Sequence, residues 1–137
     1  MKKLLFLGIL WLSIHQVSAQ YAADLKVETK IDNVSAQQFN QMIQKDAQAQ
    51  IIDIRTPQEY KMGHIKGAVL VNFYDPNFAQ NIQKAGLDKN KTIYIYCRSG
   101  HRSGNSLRIF KALGFTHIVN LAHGINDWYR SSLPLEK

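Results

Sequence analysis

The sequence holds a single cysteine, Cys97, among 137 residues. No internal disulfide can form, and structural zinc sites built from several thiolates are excluded. Only three prolines and eight glycines are present, too few for a proline-rich linker or a low-complexity chain. Charge of one sign never accumulates in a block. The 17 basic and 10 acidic residues are spread along the chain for a formal +7, which argues for solubility and against a nucleic-acid face. Apolar runs of membrane-spanning length are missing as well, since Leu4 to Leu12 falls far short of the roughly 20 residues a spanning helix needs.

That short run does carry the flanks of a secretory leader, with Lys2 and Lys3 before it and Val17-Ser18-Ala19 as a small-residue cleavage site after it. Residues 1–19 are therefore expected to be a signal peptide and 20–137 a single exported domain with no stable membrane anchor after cleavage. In a Gram-negative source that domain is periplasmic, otherwise secreted. Hydrophobic residues at 45% and charged residues at 20% match an ordinary globular core. In an oxidising compartment an unpaired thiol is a liability unless it is inert or used for chemistry. Which of the two holds for Cys97 is the central question.

Strand-like and helix-like segments alternate. Val27, Thr29 and Ile31 alternate with charged residues as in an edge strand. Ser35 and Gln38 form a capping box, with Val34 and Phe39 as a hydrophobic staple and Met42 and Ile43 on the same helical face. The apolar run Ile51 to Ile54 ends at Arg55-Thr56-Pro57, where Thr56 is placed to cap a short helix. Ala68 to Val71 and Thr92 to Tyr96 read as further strands. Phe78, Ile82 and Ala85 share a helical face that stops at Gly86. Leu107, Phe110 and Leu113 recur at helical spacing up to Gly114, Ile118-Val119 form another strand, and Ile125, Trp128 and Tyr129 ride on a last short helix as packing residues. This alternation predicts an α/β fold with a mainly parallel sheet covered on both faces.

In such folds ligands bind beyond the carboxyl ends of the strands. Cys97 sits at one of these ends, between the strand ending at Tyr96 and a helix expected to start near Ser103. The intervening Arg98-Ser99-Gly100-His101-Arg102 is short and polar, so the sulfur is not expected to be deeply buried. If the loop curls around Cys97, backbone N–H groups turn inward and join those at the helix start as an anion nest, with Gly100 supplying the freedom to curl. Such a nest, with Arg98 and Arg102 nearby, favours thiolate over thiol and places the thiol pKa below the free value of about 8.5.

The run Cys97-Arg98-Ser99-Gly100-His101-Arg102-Ser103 resembles the active-site loop of rhodanese-type sulfurtransferases. Asp53-Ile54-Arg55-Thr56-Pro57-Gln58-Glu59-Tyr60, with Gly63-His64-Ile65-Lys66-Gly67-Ala68 after it, resembles the family's upstream segment. Leu113-Gly114-Phe115 through Gly124 to Trp128 resembles its closing segment. Two positions depart from the pattern: His123 stands where the family often has a glycine, and His101 occupies a loop site that the family varies. The resemblance implies a rhodanese-like, five-stranded mainly parallel sheet flanked by helices. It also implies transfer of a sulfane sulfur from a small anionic donor such as thiosulfate, through a Cys97 persulfide, to cyanide, a thiol or a protein sulfur acceptor. Cys97 is then the catalytic residue, and Arg98, Ser99, Gly100, His101, Arg102, Ser103 and Arg55 bind substrate.

Asp53 and Arg55 are expected by the same resemblance to wall the pocket, with a structural ion pair standing beside direct contact as readings. Glu59 is placed to orient Arg102 through hydrogen bonds. His64 reads as a hydrogen-bonded structural residue ahead of an acid or base, and His101 as an exposed loop residue. The chemistry needs no cofactor, and His64, His101, His117 and His123 lack the spacing of a metal site. A cysteine-dependent phosphatase or arsenate reductase is the competing enzyme class, but it places Arg six positions after the nucleophile, where this chain has Ser103. A persulfide-carrying interaction module is the competing reading outside catalysis.

Overall fold

The computed structural model describes residues 28–137; the expected leader at 1–19, and Val27, lie outside the described residues. Ten elements alternate: β1 (Lys30–Val34), α1 (Ala36–Lys45), β2 (Gln50–Asp53), α2 (Pro57–Met62), β3 (Val69–Leu70), α3 (Phe78–Lys84), β4 (Ile93–Tyr96), α4 (His101–Ala112), β5 (His117–Leu121) and α5 (Gly124–Arg130). The strands form one parallel sheet in the order β1-β5-β4-β2-β3. β4 is central, and all four of its side chains are buried. No helix among the described residues is long and apolar enough to cross a membrane.

Each face of β4 meets its own core because side chains alternate along a strand. Tyr94 and Tyr96 pack with Ala36 and Phe39 of α1 and Ile125 and Trp128 of α5, and Phe39 stands edge-on to both Tyr94 and Trp128 at 5.6 and 6.2 Å. Ile93 and Ile95 pack with Phe78 and Ile82 of α3 and Phe110 of α4, extended by edge-on Phe78–Phe110 and Phe110–Phe115 pairs. Such edge-to-face pairs add about 0.5–1.5 kcal/mol each beyond their buried area.

The helix starts follow local chemistry. Ser35 and Gln38 close the expected capping box on α1, and Val34 packs on the same core as Phe39. The Ala36 amide, another N–H without an intrahelical partner, reaches Asp127 of α5 at 2.8 Å and ties the first helix to the last. Thr56 caps α2 as expected, in a full box with Glu59 and with Pro57 in the first turn.

Three expectations shift. The first strand begins at Lys30, where pairing with His117 of β5 starts, so the alternation at Thr29 belongs to the approach to the sheet, and Thr29 bonds Phe115 O by its hydroxyl. The helix after Cys97 starts at His101, two residues before Ser103, because Gly100 turns the chain at φ +96° and closes the loop sooner. Tyr129 is half exposed, since α5 buries only its Gly124, Ile125 and Trp128 flank.

Candidate active site

The carboxyl ends of β2, β4 and β5 lie side by side in the sheet, and their connections build the site. The β4–α4 loop carries Cys97. Its sulfur accepts the Gly100 N–H at 3.1 Å and the Ser103 N–H at 3.4 Å, and lies 3.5 Å from Ser103 Oγ. α4 has no side-chain cap, so the sulfur takes a first-turn N–H that a cap would otherwise satisfy. The Ser103 hydroxyl sits within reach of both the sulfur and Gly100 O, at 3.3 Å from the latter. It can donate to a thiolate, or to Gly100 O when the sulfur carries its own proton.

Two opposed effects act on the thiol. Burial pushes its pKa up, while the Ser103 hydroxyl and amide, followed by the Gly100 and Ser99 amides, push it down and prevail. Hydrogen bonds supply the larger part of this stabilisation, and Arg102 adds a smaller attraction of charge.

The sulfur is nevertheless covered: Cys97 is 1% exposed, against the expectation of a shallow thiol. The β5–α5 turn explains the difference. Ile125 N–H donates to Cys97 O at 2.9 Å and Asn126 N–H to Arg98 O at 3.1 Å, pulling the loop against the start of α5. Gly100 and Gly124 permit this approach. A Cβ on Gly100 would lie 1.9 Å from Ala122 O, and one on Gly124 2.3 Å from Arg98 O, with both backbones at positive φ. Gly124 takes the φ of +63° that this turn demands, so His123 adopts an ordinary φ of −112° and its side chain stays exposed.

Arg102 does not point at the sulfur as a free cation. It forms a two-pronged pair with Glu59 at 2.8 and 2.7 Å, and its guanidinium lies 5.3 Å from the centre of the Tyr74 ring. The Arg102 hydrogen bonds hold the Glu59 carboxyl down at about 2, against the upward push of burial and with help from the Thr56 amide and hydroxyl. A carboxyl lowered in the folded state stabilises the fold above its ordinary value of about 4.3 and loses that contribution as pH falls through the folded value. The thermal midpoint of the wild type is therefore expected to exceed that of Glu59→Gln at pH 6, with the gap narrowing steadily between pH 4.5 and 2. A gap that stays constant over that range would contradict the pairing.

Arg55 is buried and committed. Its Nε and Nη2 engage both oxygens of the fully buried Asp53 at 2.7–3.1 Å, Nη2 also donates to Gly63 O, and the guanidinium lies 5.5 Å from the centre of the Tyr96 ring. The ion-pair reading thus describes its contacts, while Arg55 still borders the cleft. His64 stacks on Tyr60 with ring centres 3.7 Å apart and Nδ1 3.1 Å from Tyr60 O. His101 opens α4, exposed, beside Asn105. Arg98 and Ser99 are exposed at the loop crest. No group of three or more metal-ligating side chains occurs among the described residues.

Beside the loop runs a cleft of about 360 Å³, bordered by Arg98, Arg55, Glu59, Met62, Ile125 and Tyr129. Met62, Tyr74 and Tyr129 were missed as site residues in the sequence. Tyr129 has core spacing and Met62 closes an amphipathic turn, so neither carries a signal of its own.

Comparison with known proteins places the chain in a family. A Rhodanese-like domain model matches residues 35–131. YrkF of Bacillus subtilis is 33% identical over 100 residues, covering 73% of this chain and 52% of that protein, so the chain spans about half its length. The thiosulfate sulfurtransferase PspE of Escherichia coli is 36% identical over 76 residues, covering 56% of this chain and 70% of PspE. A crystal structure of a rhodanese-like domain protein from Staphylococcus aureus superposes with a TM-score of 0.63 at 26% identity, covering 80% of this chain and all of that one. Sheet order, cysteine loop and these matches converge, and the chain belongs to the rhodanese-like domain family.

Proposed function

We propose that the protein is a sulfurtransferase that takes a sulfane sulfur from a small anionic donor such as thiosulfate, carries it as a Cys97 persulfide and delivers it to cyanide, a thiol or a protein acceptor. The observation that carries this reading is the set of polar groups around one sulfur: the Gly100 and Ser103 N–H groups donate to Sγ, and the Ser103 hydroxyl lies 3.5 Å from it, placed to donate once the sulfur is a thiolate. They stabilise the negative sulfur before attack and the negative persulfide after it, in a position fixed by backbone. The thiolate attacks the outer sulfur of thiosulfate, the S–S bond of the donor breaks, and its electron pair leaves on sulfite. An acceptor nucleophile then takes the outer sulfur and returns Cys97 as thiolate. No proton, metal or organic cofactor enters either step. Arg98 faces the approach and offsets the charge of donor and leaving group, with Ser99 and His101 at the same rim.

The phosphatase alternative needs an arginine free to clamp phosphate oxygens at the start of the helix after the loop, and Arg102, the arginine there, is already held by Glu59. The relative named thiosulfate sulfurtransferase supports thiosulfate as the first donor to test. The leader expected from the sequence at 1–19 supports an exported, periplasmic or secreted site of action, to be checked by fractionating cells that express the full chain.

Incubation with thiosulfate is expected to add one sulfur, about 32 Da, to the intact wild-type protein and to leave Cys97→Ser unchanged. Cyanide should then remove that mass and release thiocyanate in equal amount. A wild-type mass that thiosulfate does not alter, beside release of phosphate from an ester substrate, would overturn the proposal.

A further inference from the structure

The sheet face that carries Tyr94 and Tyr96 holds a second recess, of about 340 Å³, within the range of small-ligand sites. Its floor is buried and apolar, made by Ile51 of β2, Ile65 and Trp128 of α5, with Ile43 of α1 and Pro134 beside them. The tail is fastened there, since Trp128 Nε1 donates to Pro134 O at 3.0 Å. No residue of this lining borders the active-site cleft. Asp46, Ala47 and Ala49 lead into β2, and Lys66 and Gly67 into β3, so the recess lies toward the amino ends of those strands, whereas Cys97 follows the carboxyl end of β4.

One side of the recess is built to accept hydrogen bonds. α1 ends there, and the carbonyls of Ile43 and Gln44 take no backbone N–H from beyond the helix among the described residues. Asp46, which closes α1, adds a carboxylate held by two donors: Gln48 N–H reaches Oδ1 at 3.0 Å and the Tyr94 hydroxyl reaches Oδ2 at 3.0 Å. Burial first, and the Asp46 carboxylate second, push the Tyr94 hydroxyl up to about 12, so it stays a donor at neutral pH. Each carboxylate oxygen keeps a lone pair for another partner. In a chain with 17 basic and 10 acidic residues, Asp46 still has no basic partner among the described residues.

A fixed carboxylate and free carbonyls at the negative end of a helix favour a cation with several N–H donors. The floor beside them favours a hydrocarbon body. Lys66, the other charged residue of the lining, belongs to the turn before β3 and is exposed. Its charge keeps a cation on the α1 side, and its solvated, flexible stem is a poor anchor for an anion.

We propose that this recess is a binding site for a primary amine with an apolar body, the ammonium on Asp46 and the α1 carbonyls and the body on Ile51, Ile65 and Trp128. The three N–H donors of a primary ammonium match the carboxylate and carbonyl acceptors gathered there. The site is separate from Cys97 and does not depend on the sulfurtransferase reading.

The test is a titration of the full chain carrying Trp11→Phe, which leaves Trp128 as the only tryptophan and its emission as the reporter. The probes are 2-phenylethylamine, 2-phenylethanol and 3-phenylpropionate, which share an aromatic body and differ in charge at pH 7. The amine is expected to bind about tenfold more tightly than the alcohol, and the carboxylate more weakly than either. Asp46→Asn keeps the shape of the side chain and should bring amine and alcohol to equal affinity. Ala47→Phe, at an exposed position of the lining, should fill the recess and weaken the amine and the alcohol alike. Thermal unfolding checks that each variant is folded. Equal binding of amine and alcohol in the parent chain, tightest binding of the carboxylate, an amine preference that survives in Asp46→Asn, or no saturable change in emission with any probe overturns the assignment.

Discussion

Gly100→Ala is expected to slow sulfur loading of Cys97 about 100-fold or more and to lower stability by about 2–4 kcal/mol. The new Cβ would sit 1.9 Å from Ala122 O and 2.9 Å from its carbon, both backbone atoms that cannot swing aside, on a residue at φ +96°. Either the loop or the β5–α5 turn must move. Movement of the loop withdraws the Gly100 N–H that lies 3.1 Å from the sulfur, and loss of one oriented donor to a developing or resident anion costs about 2.7–4 kcal/mol of barrier. The control lies four residues on. Gly104 is in the same helix, exposed, at ordinary φ, and a Cβ added there would meet nothing within 4 Å. Gly104→Ala is expected to leave loading unchanged and to stabilise the domain by about 0.5–1 kcal/mol through helix propensity. Loading rates by mass and unfolding midpoints on the two variants check both halves. Equal behaviour of the two alanines would contradict the contact between loop and turn.

Asp53→Asn is expected to be the most damaging single change away from the loop, costing about 3–5 kcal/mol. Asp53 is fully buried and Arg55 nearly so, and three hydrogen bonds join their side chains. The amide keeps the shape of the carboxylate but removes its charge, and leaves a guanidinium uncompensated beneath Tyr96. Against a typical domain stability of about 5–15 kcal/mol, that loss brings the fold close to its threshold. Removing the second charge as well, in Asp53→Asn/Arg55→Met, should recover part of the stability, because the larger penalty comes from the orphaned charge. Denaturant unfolding of wild type, single and double variants measures this directly. A single variant as stable as the wild type would show that the pair carries no such penalty.

What could be read in the sequence was what short spacing encodes. The Ser35–Gln38 and Thr56–Glu59 caps depend on residues three apart, and both boxes form. The nucleophile was legible because an apolar strand ends one residue before it and a polar, glycine-containing turn follows. The Glu59–Arg102 pair was within reach because both residues belong to motifs set at strand ends. Depth was not legible. The sulfur is covered because a turn 25 residues further along closes on the loop through Ala122 and Gly124, and between Tyr96 and Ser103 only Gly100 bears on that approach, where it reads equally as freedom for the loop to curl. Sheet order was equally hidden, since β4 lies between β5 and β2 only through long-range pairing. Tyr129 deceived for a related reason: helical spacing tells which residues share a face, but α5 is short and its flank turns from core to cleft within one residue of Trp128.

The role assigned to the arginines changes with the structure. Two cations beside a cysteine suggest direct charge stabilisation, yet Arg102 is held by Glu59 and Tyr74, and the sulfur is served by amides and one hydroxyl. Backbone donors are fixed in place before any substrate arrives, which is the property a transient persulfide anion requires.

The most direct test of this account is the pH dependence of Cys97 alkylation by iodoacetamide, on the full chain in which it is the only thiol. The account predicts a midpoint below that of a free cysteine, about 8.5, and a shift back toward that value in Ser103→Ala. A midpoint at or above the free-cysteine value in the wild type would contradict it.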